Sequence, residues 1–236
     1  MGQALYEQEP AARAVFDQAD DLLGFPISQL CFQGPEEALT DTINQQPALY
    51  VTSLAAWAVL QQQEPAAPLF MAGHSLGEFS AFAAAGALTF AGGLALVRRR
   101  GQLMKQAGQQ SPGAMAALLG LDLEQVQDIC AQARERTGRP VQLANDNCPG
   151  QVVISGDGKA LECALELAQH AGARKIVRLP ITIAAHSPLM ASAAAEFAAA
   201  VNDAAVEPAR VPVIANTTAQ PITAVPDIRK ELIAQL

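Results

Sequence analysis

The chain has 236 residues, half of them apolar, which is enough for one domain with an insertion or for two small domains. Its net charge of −8 argues against nucleic-acid binding, which needs a basic face. No signal peptide opens the sequence, and no apolar run approaches the roughly 18 residues of a membrane span, so we expect a cytoplasmic protein without membrane contact.

The first quarter of the chain is predicted to be mostly helical. Residues 1–23 place apolar side chains near one side of a helix, with Pro10 at a break or in a first turn. Residues 48–62 form a longer, largely buried helix, and Pro47 suits its first turn. Gln46 lies at the start of this helix, so the residues alone favour a capping or solvated glutamine there.

The next segment, Gly73-His74-Ser75-Leu76-Gly77, has the Gly-x-Ser-x-Gly spacing of a nucleophile elbow. Apolar residues at 68–72 predict a strand before it, and small and apolar residues at 79–87 predict a helix after it. Such a turn strains the serine, and a side chain at either glycine is expected to collide with neighbouring backbone. The serine oxygen would then be exposed at the sheet edge, near N–H groups that attract negative charge.

A helix is predicted from Thr89 to about Gln106, and its periodicity separates three consecutive arginines. Arg98 and Arg99 fall outside the apolar arc and are predicted to be solvated. Arg100 points into apolar surroundings, so it needs an anionic partner or a polar cleft because its charge is permanent. A structural salt bridge and a carboxylate-bearing ligand held by two hydrogen bonds are equally compatible with this position.

Residues 113–180 change to a pattern of short strands and helices. Their order, β-α-β-β-α-β, is the ferredoxin-like arrangement and predicts a small unit inserted into the elbow-bearing domain. Residues 145–150 are expected to form the turn between the two middle strands. Asn147 lies in this turn, where asparagine usually stabilises the turn itself.

The chain has three histidines from which a base for Ser75 can come. His170 lies in a helical, alanine-rich stretch, and His74 lies inside the elbow and points away from the serine side. His186 lies in a loop and is the best candidate by elimination and by position. This pair indicates acyl transfer, in which Ser75 attacks a carbonyl and the N–H of Leu76 helps to hold the oxyanion.

Two alternatives remain open at this point. A serine hydrolase or thioesterase of the α/β-hydrolase type has the order serine, acid, histidine, and Asp146 and Asp157 lie between Ser75 and His186. Both aspartates, however, fall in turns of the inserted unit, and Arg100 has no purpose in an ordinary esterase. A non-catalytic binding domain would leave both the arginine and the strained elbow unexplained.

Six short segments together match one known family. The segments are 45–49 (QQPAL), 73–81 (GHSLGEFSA), 100–101 (RG) with Met104, 113–117 (GAMAA), 147–156 (NCPGQVVISG) and 186–190 (HSPLM). In this order they resemble the malonyl-CoA:acyl carrier protein transacylases of fatty acid synthesis and the related acyltransferase domains of polyketide synthases. The resemblance implies an α/β fold, with an α/β-hydrolase-like parallel-sheet domain at 1–112 and 181–236 and a ferredoxin-like subdomain at 113–180.

The resemblance also implies a role for each candidate residue. Ser75 would be the acylated nucleophile, His186 its base, and Leu76 the donor of one oxyanion N–H. Arg100 would bind the free carboxylate of malonate. The other positions that match the acyl pocket of the family are Gln46, His74, Met104 and Asn147.

The implied reaction is a ping-pong transfer that needs no metal or other cofactor. Malonyl-CoA would acylate Ser75, CoA would leave, and the phosphopantetheine thiol of acyl carrier protein would accept the malonyl group. Acyl carrier proteins are acidic, so the resemblance implies a basic patch on an otherwise acidic monomer. The candidate residues for this patch are Arg98, Arg99, Arg174, Lys175 and Arg178.

Members of this family extend further at both ends. They begin with a strand ending in Gly-Gln-Gly, whose glutamine supplies a second oxyanion donor, and they continue into an Asn-Pro-x-x-Trp segment and a late Gly-Pro-Gly turn. We therefore expect this chain to be an internal fragment of a longer enzyme, truncated at both ends. An inactive fragment that only binds acyl carrier protein is the alternative to an active transferase.

Overall fold

The computed structural model describes residues 1–65 and 67–236. The chain forms two compact units, which we call unit 1 (Met1–Gln102 and Glu196–Gln235) and unit 2 (Leu103–Ala195 with Leu236). Helices and small sheets occur together, so the fold is mixed α/β, as the sequence predicts.

The helices and strands are numbered in chain order. The helices are α1 (Gln3–Gln8), α2 (Pro10–Leu23), α3 (Ile27–Gln33), α4 (Glu36–Thr40), α5 (Thr42–Gln63), α6 (Gly77–Ala84), α7 (Phe90–Gln110), α8 (Leu123–Thr137), α9 (Gly158–His170), α10 (Ala191–Asp203) and α11 (Val225–Ala234). The strands are β1 (Met71–Ala72), β2 (Gly113–Leu119), β3 (Val141–Cys148), β4 (Gln151–Asp157), β5 (Lys175–Arg178), β6 (Val213–Ile214) and β7 (Pro221–Ile222). A short 3-10 helix at Pro188–Met190 precedes α10.

The amino-terminal helices of unit 1 pack around α5. Pro10 is the first residue of α2, a position where its missing N–H costs no hydrogen bond, so the predicted break is confirmed. Helix α5 begins at Thr42, six residues earlier than predicted, because the side chain of Asp41 caps it by accepting the N–H of Ile43 at 3.2 Å. The expectation that Pro47 lies in a first turn is therefore wrong, and this proline lies inside the helix.

A three-stranded sheet in unit 1 has the order β1-β6-β7. Strand β1 runs parallel to β6, and β6 runs antiparallel to β7. The strand before the elbow is two residues long instead of the predicted five, because only Met71 and Ala72 have partners on β6, namely Val213 and Ile214. Since β1 and β6 are parallel, their carboxyl ends lie at the same edge of the sheet.

Unit 2 contains a second sheet of four antiparallel strands in the order β3-β4-β2-β5. Along the chain its elements run β2, α8, β3, β4, α9, β5, which is the predicted sequence of elements for residues 113–180. Both helices bury apolar faces against this sheet, and Leu118, Val126, Ile154 and Leu161 lie in the shared core. Helix α8 starts at a capping box in which Asp122 and Gln125 exchange hydrogen bonds.

Among residues 1–65 and 67–236, no helix combines the length and the apolar composition that a membrane span requires.

Candidate active site

The elbow places Ser75 in the left-handed backbone region, with φ of +50°. This conformation strains a residue that has a side chain, and such strain clusters at functional sites. A Cβ added to Gly73 would overlap the backbone carbonyl of Gly77, so the first glycine is required by close approach. Gly77 begins α6 with open space around its missing side chain, so the predicted collision at the second glycine is wrong.

Asn216 lies two residues after the end of β6, the strand that pairs with β1, and forms two hydrogen bonds to the elbow. Its Oδ1 accepts the N–H of Ser75 at 2.7 Å, and its Nδ2 donates to the carbonyl of Gly73 at 2.7 Å. The asparagine and the serine are far apart in sequence, but each follows one of two parallel strands at the same sheet edge. Sequence reasoning missed Asn216, although the apolar run at 211–215 directly before it was a usable signal of a strand end.

Glu78 is a fully buried carboxylate in the first turn of α6, directly after the elbow. Its Oε1 accepts the backbone N–H of Asn216 at 3.0 Å, and its Oε2 accepts Nε2 of Gln235 at 3.1 Å. Burial raises the pKa of Glu78 to about 7, and the nearby Glu231 adds to this increase, while the donors from Asn216 and Gln235 oppose it. Neither Glu78 nor Gln235 was singled out from the sequence.

Arg100 is 2 % exposed and is the largest fully enclosed polar side chain near the elbow. Its Nη1 donates to Oε1 of Gln46 at 3.1 Å, and its Nη2 donates to Oε1 of Gln235 at 2.9 Å and to Oγ of Ser75 at 3.4 Å. Burial lowers the pKa of Arg100 to about 10, and the nearby charge of Glu78 opposes this decrease. The guanidinium therefore stays charged at neutral pH.

The described hydrogen bonds of Arg100 all go to neutral oxygens, and its guanidinium also lies 5.9 Å from the centre of the Phe79 ring. Its Nε is buried and has no hydrogen-bond partner among residues 1–65 and 67–236, and no carboxylate of that part of the chain forms an ion pair with it. Neutral acceptors stabilise a buried cation less than a directly paired anion does. Of the two alternatives from the sequence, the geometry therefore favours an external anion over a structural salt bridge.

Gln46 differs from its sequence-based interpretation. It is 5 % exposed and lies inside α5, because the cap at Asp41 starts the helix before it. It contacts Arg100, so the predicted capping or solvated role is wrong.

Leu76 and His74 occupy the turn on either side of the serine. Leu76 is buried at the start of α6, and the next three N–H groups, at residues 77–79, donate to carbonyls of the turn. Among the described hydrogen bonds, the N–H of Leu76 has no protein acceptor, as an oxyanion donor requires. His74 is exposed.

His186, Met104 and Asn147 belong to unit 2. His186 is half-buried with φ of +56°, and its carbonyl accepts Nε2 of Gln142 at 2.8 Å. Among the described residues, three non-glycine residues have positive φ, and two of them are the predicted nucleophile and base. Met104 is buried on α7.

Asn147 lies in β3 rather than in the predicted turn. Pairing between β3 and β4 continues to Cys148 and Gln151, so the turn is shortened to Pro149 and Gly150. The register shifts between Asp146 and Cys148, which places exposed Asn147 at a β-bulge. Bulges redirect a side chain from the regular alternation of a strand.

The residues predicted to form a basic patch differ in their surroundings. Arg98, predicted to be solvated, is half-buried, donates to the carbonyl of Leu23 at 3.0 Å and lies over the ring of Phe25. Exposed Arg99 pairs with Glu196.

Arg178 pairs with Glu162, whereas Arg174 and Lys175 are exposed at edge strand β5 or directly before it. In the described part of the chain, no group of three or more histidine, cysteine or acidic residues could hold a metal ion.

Comparison with known families identifies the class of this site. The acyl transferase domain family matches residues 1–232. The elbow serine and the buried arginine therefore lie in an acyltransferase domain.

Individual relatives narrow the class. Malonyl CoA-acyl carrier protein transacylase of Bacillus subtilis is 45% identical over 236 residues, covering 100% of this chain and 74% of the relative. The corresponding Escherichia coli K12 protein is 40% identical over 227 residues, covering 96% and 73%. The chain belongs to the malonyl CoA-acyl carrier protein transacylase family.

Solved structures agree with this assignment. The transacylase of Coxiella burnetii superposes with a TM-score of 0.95 at 37% identity, covering 98% of this chain and 73% of that one. A malonyl-transacylase solved in complex with a type II polyketide acyl carrier protein gives a TM-score of 0.96 at 37% identity, covering 100% and 76%.

The two elbow glycines give a matched test of the turn. We expect Gly73→Ala to lower the free energy of unfolding by roughly 1–3 kcal/mol, because its methyl group overlaps the carbonyl of Gly77. Gly77→Ala has open space and a helical position, so we expect a change within about 1 kcal/mol, in the stabilising direction. Urea unfolding of both variants measures the difference, and equal losses would contradict the close approach.

The raised pKa of Glu78 predicts a pH-dependent stability. Because folding favours its neutral form, its contribution is present below the ordinary pKa of 4.5 and is lost as the pH rises through about 7. Glu78→Gln removes this loss, so between about pH 5.5 and pH 8 its free energy of unfolding should gain about 2 kcal/mol relative to the parent chain.

Glu162→Gln is the control for this pH series. The hydrogen bond from Arg178 holds the pKa of Glu162 below its usual range, so it is ionised in both folded and unfolded chains over this interval. Its difference from the parent should stay flat. A flat difference for Glu78→Gln as well would show that this carboxylate is already ionised at low pH.

Proposed function

We propose that the chain transfers a malonyl group from malonyl-CoA to the phosphopantetheine thiol of an acyl carrier protein. The observation that carries the proposal is the buried Arg100, whose Nη2 lies 3.4 Å from Oγ of Ser75 while its described hydrogen bonds all go to neutral oxygens. A substrate with its own carboxylate supplies the missing anion next to the nucleophile. Malonyl thioesters have that carboxylate, and acetyl thioesters lack it.

The proposed chemistry has two half-reactions. Oγ of Ser75 attacks the thioester carbonyl, His186 accepts the serine proton, and the N–H of Leu76 stabilises the oxyanion. Collapse of the intermediate breaks the C–S bond, and the proton on His186 goes to the sulfur of CoA. In the second half-reaction His186 takes the proton of the carrier thiol, whose sulfur attacks the acyl-serine, and the proton returns to Oγ of Ser75.

The other family positions receive pocket roles in this proposal. Gln46 orients Arg100, since its Oε1 accepts a guanidinium N–H. His74, Met104 and Asn147 line the acyl pocket. The transferase needs no cofactor or metal and acts as a cytoplasmic monomer.

The finer fold description is part of the same proposal. Residues 1–112 and 181–236 form the α/β-hydrolase-like domain, supported by the parallel pair β1 and β6 beside the elbow. Residues 113–180 form the ferredoxin-like subdomain, supported by the strand order β3-β4-β2-β5.

Detection of an acyl-enzyme tests the reaction. Incubation of the chain with malonyl-CoA should give a malonyl adduct by intact-mass measurement, and Ser75→Ala should abolish it. An adduct that persists in Ser75→Ala would exclude this nucleophile. An adduct that water hydrolyses as fast as the carrier removes it would indicate a hydrolase.

Arg100 gives the substrate prediction. We expect Arg100→Ala to lower kcat/KM for malonyl-CoA by roughly 10²-fold, since a charge-assisted hydrogen bond contributes about 1.5–3 kcal/mol, while acetyl transfer is spared or raised. Arg99→Ala is the matched control, because Arg99 is exposed and pairs with Glu196. Equal losses for both substrates would make Arg100 purely structural.

The charge distribution supports a place for the acidic carrier on unit 2. Of the 23 acidic and 15 basic residues, unit 1 holds 15 acidic and 7 basic, and unit 2 holds eight of each. An acidic partner is therefore repelled less by unit 2. Arg174 and Lys175 are its exposed basic candidates at the edge of the four-stranded sheet.

Charge reversal on this edge tests the partner. We expect Lys175→Glu to raise KM for acyl carrier protein several-fold, with a larger effect at low salt, while formation of the acyl-enzyme from malonyl-CoA is unchanged. Lys159→Glu, at an exposed position of the same unit, is the matched control. Equal effects of both variants would point to general electrostatic attraction without a docking edge.

A further inference from the structure

Two hydrogen bonds connect Arg100 to Glu78 through the side chain of Gln235. Nη2 of Arg100 donates to Oε1 of Gln235 at 2.9 Å, and Nε2 of Gln235 donates to Oε2 of Glu78 at 3.1 Å. A guanidinium has only donors and a carboxylate has only acceptors. The amide of Gln235 therefore fits between them in one orientation, and the two opposite charges are linked without direct contact.

The other oxygen of Glu78 is directed to the nucleophile turn. Oε1 accepts the backbone N–H of Asn216 at 3.0 Å, and the side chain of Asn216 holds both Ser75 and Gly73. Gln235 also donates to the carbonyl of Ser75 at 3.2 Å. One carboxylate thus accepts hydrogen bonds from the side chain of Gln235, which contacts the arginine, and from the backbone of Asn216, whose side chain holds the strained serine.

We propose that Glu78 is a positioning residue, which orients Arg100 toward the substrate carboxylate through Gln235 and holds the Ser75 turn through Asn216. The proposal rests on the proposed function. It assigns to Glu78 a share of the selectivity for malonyl over acetyl thioesters, although the residue itself touches no substrate. Loss of the carboxylate loosens the arginine more than it weakens binding of an uncharged acyl group.

A second buried glutamate, Glu231, provides a comparison with a purely structural role. Glu231 is 5 % exposed and accepts hydrogen bonds from the backbone N–H and the hydroxyl of Thr217, the residue after Asn216. The described hydrogen bonds of its side chain go to Thr217 and not to Arg100, Gln235 or the elbow, and only its backbone carbonyl, which the substitution keeps, accepts the N–H of Gln235 at 3.0 Å. Glu231→Gln is therefore a control of the same residue type, in the same unit and at similar burial.

Glu78→Gln replaces one acceptor with a donor. The new amide faces the N–H of Asn216 or the amide of Gln235 with the wrong polarity, and rotation of Gln235 would turn its NH2 group toward Arg100. At about pH 8 we expect the ratio of kcat/KM for malonyl-CoA to that for acetyl-CoA to fall roughly tenfold, the size of one lost charged hydrogen bond. Glu231→Gln should leave this ratio unchanged.

A double-mutant cycle tests whether Glu78 acts through the arginine. In the Arg100→Ala background, Glu78→Gln should cause no further loss of the malonyl-to-acetyl ratio. Independent, multiplicative losses would overturn the proposal, as would a ratio unchanged by Glu78→Gln in the parent chain. Gln235→Met, which breaks the link and keeps both charges, should reproduce the loss and decides the matter if Glu78→Gln fails to fold.

The same cycle in urea unfolding separates this proposal from the proposed function. It measures the coupling of Glu78 and Arg100 without any turnover. If the parent chain forms no malonyl adduct, the proposed function fails, while non-additive unfolding still supports the link and additive unfolding overturns it. If the adduct forms and the unfolding is additive, the proposed function stands and the positioning role falls.

Discussion

The buried charge of Arg100 is the constraint on which the rest of unit 1 depends. A guanidinium cannot become neutral at physiological pH, and burying it without an anion is costly. The chain meets this cost in part with neutral oxygens from α5, from the elbow and from the segment after α11. These contacts provide no anion, and a substrate that carries a carboxylate would supply one.

Parallel pairing of β1 and β6 creates the second feature of the site. It brings the elbow serine and Asn216 to one sheet edge, although they lie in distant parts of the sequence. The asparagine then replaces backbone partners that a strained turn cannot supply for itself. Glu78 accepts hydrogen bonds from Asn216 and from Gln235. One buried carboxylate is therefore linked both to the elbow and to Arg100.

Local patterns were sufficient for much of the architecture. The elements of residues 113–180 follow the predicted order, because each strand and helix has its own periodicity and cap. The elbow and the burial of Arg100 followed from spacing and helical phase in the same way. Errors arose where a tertiary contact decided the outcome, as at Gly77, where only the three-dimensional turn shows open space, and at Gln46, where an upstream cap moved the helix start.

The sequence by itself determined the residue types that chemistry requires: a serine between two glycines, an arginine on an apolar helix face and a histidine in a loop. Local spacing determines these features, and they need no knowledge of distant contacts. Only the tertiary structure decided which residues complete the surroundings of the serine and the arginine. Asn216 and Gln235 become neighbours of Ser75 and Arg100 through strand pairing and helix packing across long stretches of chain, which no local pattern records. The same long-range contacts give Glu78, three residues after the serine, its hydrogen-bond donors.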